Sequence, residues 1–142
     1  MRVLVDTSIW SLALRRSGPT AAEDRSLIDE LSGLIDDVHV AMIGSIRQEL
    51  LSGIPSQAQF EALKEKLHAF EDLPLGRDDH ERASGFYNTC RRCGVQGSQT
   101  DPLICAGGAG RGIPIFASDK DLVRNAKHLP ISLHRPAGAT GA

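Results

Sequence analysis

The sequence lacks the marks of several protein classes. No apolar run approaches the roughly 20 residues that a membrane-crossing helix requires, so no membrane partner is expected. The N-terminus reaches Asp6 after only Val3, Leu4 and Val5. That leaves no core for a signal peptide, and a cytoplasmic location is the expectation. Cysteine is scarce and odd in number (Cys90, Cys93 and Cys105), which does not suit a secreted disulfide framework. Charge of one sign is also missing. The formal net charge is −2, so the chain is not a uniformly basic nucleic-acid binder. Contact with a polyanion would need a local basic patch or metal ions. There are no internal repeats.

What is present describes a globular chain. The 142 residues are 41% hydrophobic and 24% charged, enough for one domain with a real core. The domain is expected over residues 1–135. Residues 136–142 are small and Gly-rich and are expected to form a disordered tail.

The stretch Val3-Leu4-Val5-Asp6-Thr7-Ser8 sets the pattern. Three apolar residues, two of them β-branched, read as a short buried strand that ends in an acid and two hydroxyls. Helices are expected over residues 9–16 and 21–35, followed by a strand over 38–43. Ser45-Ile46-Arg47-Gln48 has capping-box spacing and predicts a helix from about Ser45. Further helices are expected over 57–68 and 77–93, the latter with Ala83, Phe86, Tyr87 and Cys90 on its apolar face. A short strand is read at 70–75. Thr100-Asp101-Pro102 opens another helix, since Pro suits the first turn and Thr or Asp the cap. Ile113-Pro114-Ile115-Phe116-Ala117 reads as the next strand, ending in Ser118-Asp119-Lys120-Asp121. A helix then runs to about Lys127, and Ile131-Ser132-Leu133 forms a last strand. Strands alternating with helices predict an α/β fold with a mostly parallel sheet.

In open α/β sheets, ligands bind beyond the carboxyl ends of the strands. Four acids should fall on that edge. Asp6 ends the first strand, Glu49 lies just beyond the first turn of a helix that follows a strand, Asp101 opens a helix, and Asp119 ends a strand. Capping explains each acid singly but explains four on one edge less well. Clustered carboxylates repel, and their pKa values rise unless a cation neutralises them. Hard oxygen ligands suit Mg²⁺ or Mn²⁺, ions that keep positions open for water and phosphate oxygens. Such an ion can activate a water and support displacement at phosphorus.

These motifs resemble a known family. Asp6-Thr7-Ser8, the Glu49 of Arg47-Gln48-Glu49-Leu50-Leu51-Ser52-Gly53, the Asp101 of Thr100-Asp101-Pro102-Leu103-Ile104, and Ser118-Asp119-Lys120-Asp121-Leu122 are similar to the acidic motifs of PIN-domain ribonucleases. The length and the Asp-Thr-Ser start resemble the VapC toxins of bacterial toxin–antitoxin systems. The resemblance spans nearly the whole chain. It implies a three-layer PIN-like fold with a central five-stranded, mostly parallel sheet flanked by helices. It implies a Mg²⁺- or Mn²⁺-dependent endoribonuclease acting as the toxin of a type II toxin–antitoxin system on RNA, with tRNA or rRNA as candidate substrates. It also implies a homodimer and a cognate VapB-type antitoxin that blocks the site. Asp6, Glu49, Asp101 and Asp119 would be the catalytic and metal-holding residues, directly or through water. Thr7, Ser8, Thr100 and Asp121 would support them from behind. Two features depart from the family pattern: Pro102 follows the third acid, and Ala106-Gly107-Gly108-Ala109-Gly110 is unusually Gly-rich. Each Gly costs a helix up to about 1 kcal/mol relative to Ala, so a loose helix is expected there.

Other features carry less. Cys90 and Cys93 have zinc-ligand spacing, but no second pair stands at a suitable distance, and a structural zinc needs four ligands. Trp10 should pack near the sheet edge, with its N–H seeking a partner. Arg15, Arg16, Arg91, Arg92, Arg111 and Arg124 could form a phosphate-binding patch, although solvated faces explain most arginines. Two rival functions share the fold class. A receiver-like phosphoacceptor domain would need an acidic pair after the first strand and an acceptor Asp on a middle strand, and neither is present. A non-catalytic α/β binding module would show no metal-dependent cleavage of RNA.

Overall fold

Val3, Leu4 and Val5 are at most 1% exposed, and the sheet is built around them. The computed structural model describes residues 2–14, 22–95 and 100–136, the side chains of Thr100 and Asp101 excepted. Arg15, Arg16 and the tail after residue 136 lie outside the described residues. In chain order the elements are β1 (Val3–Val5), α1 (Thr7–Leu14), α2 (Ala22–Asp36), β2 (Val40–Ala41), α3 (Gly44–Leu51), α4 (Gln57–Leu67), α5 (Arg77–Arg92), α6 (Thr100–Ala109), β3 (Ile115–Phe116) and α7 (Lys120–Ala126). No helix among the described residues is long and apolar enough to cross a membrane.

The three strands lie in the order β2-β1-β3 and are all parallel. Val3 pairs with Val40, and Val5 pairs with Phe116. A parallel strand buried on both faces needs cover from both sides, and the helices supply it. The α/β expectation with a parallel sheet holds, but the five-stranded sheet is corrected to three strands among the described residues. The two outer strands expected at 70–75 and 131–133 are reduced to single parallel bridges, Met42 with Asp72 and Ile115 with Leu133. The reason lies in where the backbone groups go. On one side, the Arg47 guanidinium takes the Phe70 carbonyl and the Arg111 guanidinium takes the Pro74 carbonyl at 2.9 Å. Pro74 itself has no N–H to give a ladder. On the other side, Ile115 N–H donates to Ser132 O and His134 N–H donates to Ile115 O, and Pro130 and Pro136 bound the segment.

A strand start and a helix cap also differ from expectation, each for a local reason. The strand expected from Val38 begins at Val40, because Val38 is left-handed (φ 58°) and closes α2. Val38 N–H donates to Ile35 O and His39 N–H to Leu34 O, the Schellman pattern with valine where glycine is usual. The capping box expected at Ser45 does not form. Ile43 is the N-cap of α3, no side chain caps it, and the Ser45 hydroxyl is buried without a hydrogen-bond partner among the described residues.

The Gly-rich helix is packed tightly, contrary to the loose helix expected. α6 runs along α5 and against β3. A Cβ at Gly108 would come within 2.8 Å of the Ile113 carbonyl, and one at Gly107 would touch Leu75 and Leu4. The glycines exchange helix propensity for close approach to the sheet. The end of α6 is pinned by Arg111, which donates to Gly107 O at 3.2 Å and grips Asp79 through both of its terminal nitrogens at 2.8 and 3.1 Å. Asp79 also accepts from Gly76 N–H at 2.9 Å and so closes the start of α5.

Candidate active site

β1 delivers Asp6 to the carboxyl edge of the sheet. Its N–H donates to Phe116 O at 2.9 Å, which extends the β1–β3 pairing to the acid itself. Its side chain is only 4% exposed. Oδ2 accepts from Ser8 N–H at 3.1 Å and from the Ser8 hydroxyl at 2.6 Å. The capping role weighed from the sequence is therefore real, and it uses one carboxylate oxygen. The Ser8 hydroxyl also accepts from Ser118 N–H at 3.0 Å. A single serine thus ties the end of β1 to the segment that carries Asp119. The contribution of the Ser118 backbone was not foreseen, although its place directly after a strand is the signal that could have revealed it.

Asp119 is the N-cap of α7, its Oδ1 accepting from Asp121 N–H at 2.9 Å. It is near enough to Asp6 for its charge to push the Asp6 carboxyl further above its ordinary value. Burial is the larger cause of that upward displacement, and the hydrogen bonds from Ser8 and Thr7 oppose it. Among the described residues no lysine, arginine or histidine pairs with Asp6.

Glu49 reaches the same edge from α3. It is exposed, and Oε2 accepts from the Thr7 hydroxyl at 3.1 Å. Thr7 follows Asp6 directly, so the Thr7–Glu49 bond brings α3 to the acid loop. Asp101 has its backbone in the first turn of α6, and its side chain, like that of Thr100, lies outside the described residues. Asp121 is half exposed and sits 3.8 Å from Arg124. The structure therefore brings Asp6, Ser8 and Asp119 together and joins Glu49 to them through Thr7. Among the described residues no group of three or more His, Cys, Asp and Glu side chains stands close enough to hold a metal. The donors present are all hard oxygens, and the site carries excess negative charge beside a buried carboxylate. That chemistry fits a divalent cation and no anion.

The remaining candidates fall elsewhere. Arg111 belongs to Asp79, Arg91 donates to Tyr87 and lies over its ring, and Arg92 donates to Thr89. The expected arginine patch does not include Arg111. Cys90 is buried, with its thiol pushed up by burial and by Cys93, which is exposed. Trp10 packs edge-on against Phe70, but its indole N–H is buried without a hydrogen-bond partner among the described residues.

No family model and no curated protein matches the sequence. Solved structures do match in shape. A chain in the crystal structure of FitAcB from Neisseria gonorrhoeae superposes with a TM-score of 0.73 at 17% identity, covering 94% of this chain and 97% of that one. VapBC2 from Rickettsia felis, solved bound to a DNA fragment from its promoter, gives 0.72 at 16% identity over 94% and 98%. VapBC-5 from Mycobacterium tuberculosis, a member of the VapBC family of toxin-antitoxin systems, gives 0.67 at 21% identity over 94% and 98%. The chain shares their fold. The likeness runs nearly end to end, so the edge that carries Asp6 and Asp119 belongs to the shared fold and not to an appendage.

Proposed function

We propose that the chain is a Mg²⁺- or Mn²⁺-dependent endoribonuclease, the toxin of a type II toxin–antitoxin system of VapC type, working in the cytoplasm. One observation carries the reading. A buried carboxylate at the carboxyl edge of a parallel sheet has a second acid beside it and, among the described residues, no protein cation paired with either. Such an arrangement is unfavourable for folding and becomes favourable when a divalent cation joins it. Asp6, Asp119, Glu49 and Asp101 would hold the ion, directly or through water. When bound, the ion supplies the charge that lowers the pKa of the attacking water and offsets charge building on the phosphate. The chain's own residues set the geometry. Ser8 holds Oδ2 of Asp6 and leaves the carboxylate one face for the ion. Thr7 orients Glu49 across the same edge. Asp121 steadies the turn through its N–H. The likeness to VapBC structures supports a cognate VapB-type antitoxin, and a homodimer of this chain goes with that reading.

Purified protein is expected to cleave RNA with Mg²⁺ or Mn²⁺, to stop in EDTA, and to resume when metal is restored. Undiminished cleavage in EDTA would remove the metal from the proposal.

A further inference from the structure

Beside the acids lies a cavity of about 650 Å³, within the range of roughly 300–1,000 Å³ usual for small-molecule sites. Thr7 and Glu49 line one side, so the cavity is continuous with the proposed metal site. Leu50, Ile54 and Leu63 give it apolar surface, and α4 adds Ala62 and Lys66. The neighbouring Lys64 pairs with Glu61, whereas Lys66 enters no ion pair among the described residues. The cavity thus offers an apolar surface with Glu49 and the exposed Lys66 both in its lining.

A nucleotide has the complementary form, a flat base with apolar faces joined to an anionic phosphate. Single-stranded RNA is read through bases splayed out of the chain into such pockets. A basic peptide would meet Lys66 as a like charge. Resting on the nuclease reading above, we propose that this cavity seats one unpaired base flanking the cleaved phosphate, with Lys66 binding the adjacent phosphate. Ala62 and Lys66 then set which base is accepted and how tightly the strand is held.

The test uses a short single-stranded RNA of randomised sequence, cut in Mg²⁺, with the product ends sequenced. The wild type is expected to show a base preference at one position beside the cut. Ala62→Phe fills the cavity; it should flatten that preference and slow cleavage about tenfold, in keeping with the loss of one base-stacking contact. Lys66→Glu changes an exposed residue and should raise KM about tenfold with little change in kcat, the signature of lost ground-state binding. Thermal melting establishes that both variants fold. If the wild type cuts RNA and both folded variants keep its preference, KM and rate, the cavity proposal is overturned and the nuclease reading stands. A wild type that cuts no RNA under any metal overturns both.

Discussion

Asp6 and Asp79 are buried to nearly the same degree, at 4% and 7% exposure, and their surroundings act on them in opposite directions. Asp79 meets a guanidinium. The bidentate bond from Arg111, joined by Gly76 N–H, holds its carboxyl at about 2. Asp6 meets two donors from one serine and the charge of another acid, and burial pushes its carboxyl up. The first carboxylate has its charge answered by the fold; it locks the start of α5 to the end of α6. The second has been carried to the sheet edge with no protein cation paired to it among the described residues. A buried acid is therefore not in itself a sign of function. The sign is a buried acid whose only neighbour of full charge has the same sign.

The largest effect should come from removing the unanswered charge. Asp6→Asn keeps the shape and an acceptor for Ser8 but loses the anion. Cleavage is expected to fall by about a hundredfold or more, the scale of a lost metal ligand or catalytic carboxylate. The metal-free variant should melt no lower than the wild type at pH 7, and higher if burial of the charge dominates, because a buried charge without a partner destabilises. A variant that loses activity and melting temperature together would place Asp6 with Asp79, as a structural acid.

The complementary substitution is Asp79→Ala. It leaves the Arg111 guanidinium on the Gly107 and Pro74 carbonyls without its carboxylate, and removal of one partner from a buried pair costs about 3–5 kcal/mol. The pair keeps some contact with water, since the two side chains are 11% and 21% exposed, so the lower end is expected. Chemical denaturation measures this. Cleavage per folded molecule should stay close to that of the wild type.

Titration sharpens the same contrast. The folded-state value of Asp79 lies below its ordinary 3.8, so its contribution is complete above pH 3.8 and is lost as pH falls toward about 2. Asp6 has the opposite sign: its folded-state value is raised, so its burial costs nothing in acid and weighs against folding as pH rises past 3.8. Metal-free denaturation curves between pH 2 and 6 should show an acid-labile limb that Asp79→Ala removes and Asp6→Asn leaves in place. An unaltered limb in Asp79→Ala would detach the pair from acid stability.

Much of this arrangement was legible in the chain. Alternating apolar strands and amphipathic helices placed β1, α2, α4 and α5 within a few residues, and the strand-end position of Asp6 follows from pattern alone, whereas Asp119, read as a strand end, is the cap of α7 beyond the end of β3. The outer strands were misjudged because apolar segments at 70–75 and 131–133 look like strands locally. Pairing of the first depends on where Arg47 and Arg111 send their guanidinium groups, which is a tertiary matter, and the second is cut short between Pro130 and Pro136. The Asp79–Arg111 pair was invisible for the same reason, being 32 residues apart on different elements. The Gly-rich helix was read by propensity, whereas close approach of α6 to Ile113 and Ile115 decided its sequence.

The smallest effect is expected at Asp121, which shares a turn with Asp119. Asp119 directs its charge at Asp6 and caps α7, so Asp119→Asn should reduce cleavage about a hundredfold, as a metal ligand would, while Asn retains the capping ability. Asp121 stands half exposed in the first turn of α7, 3.8 Å from Arg124 and stabilised by the helix dipole. Its N–H, which the substitution preserves, makes the bond to Asp119. Asp121→Asn should therefore cost about 0.3–1 kcal/mol of stability and only several-fold in rate. Side-by-side cleavage assays on the two variants, with melting curves, decide the ranking. Equal rate losses would make Asp121 a second ligand of the same ion. A larger loss from Asp121→Asn would move the functional acid from the cap of α7 into its first turn.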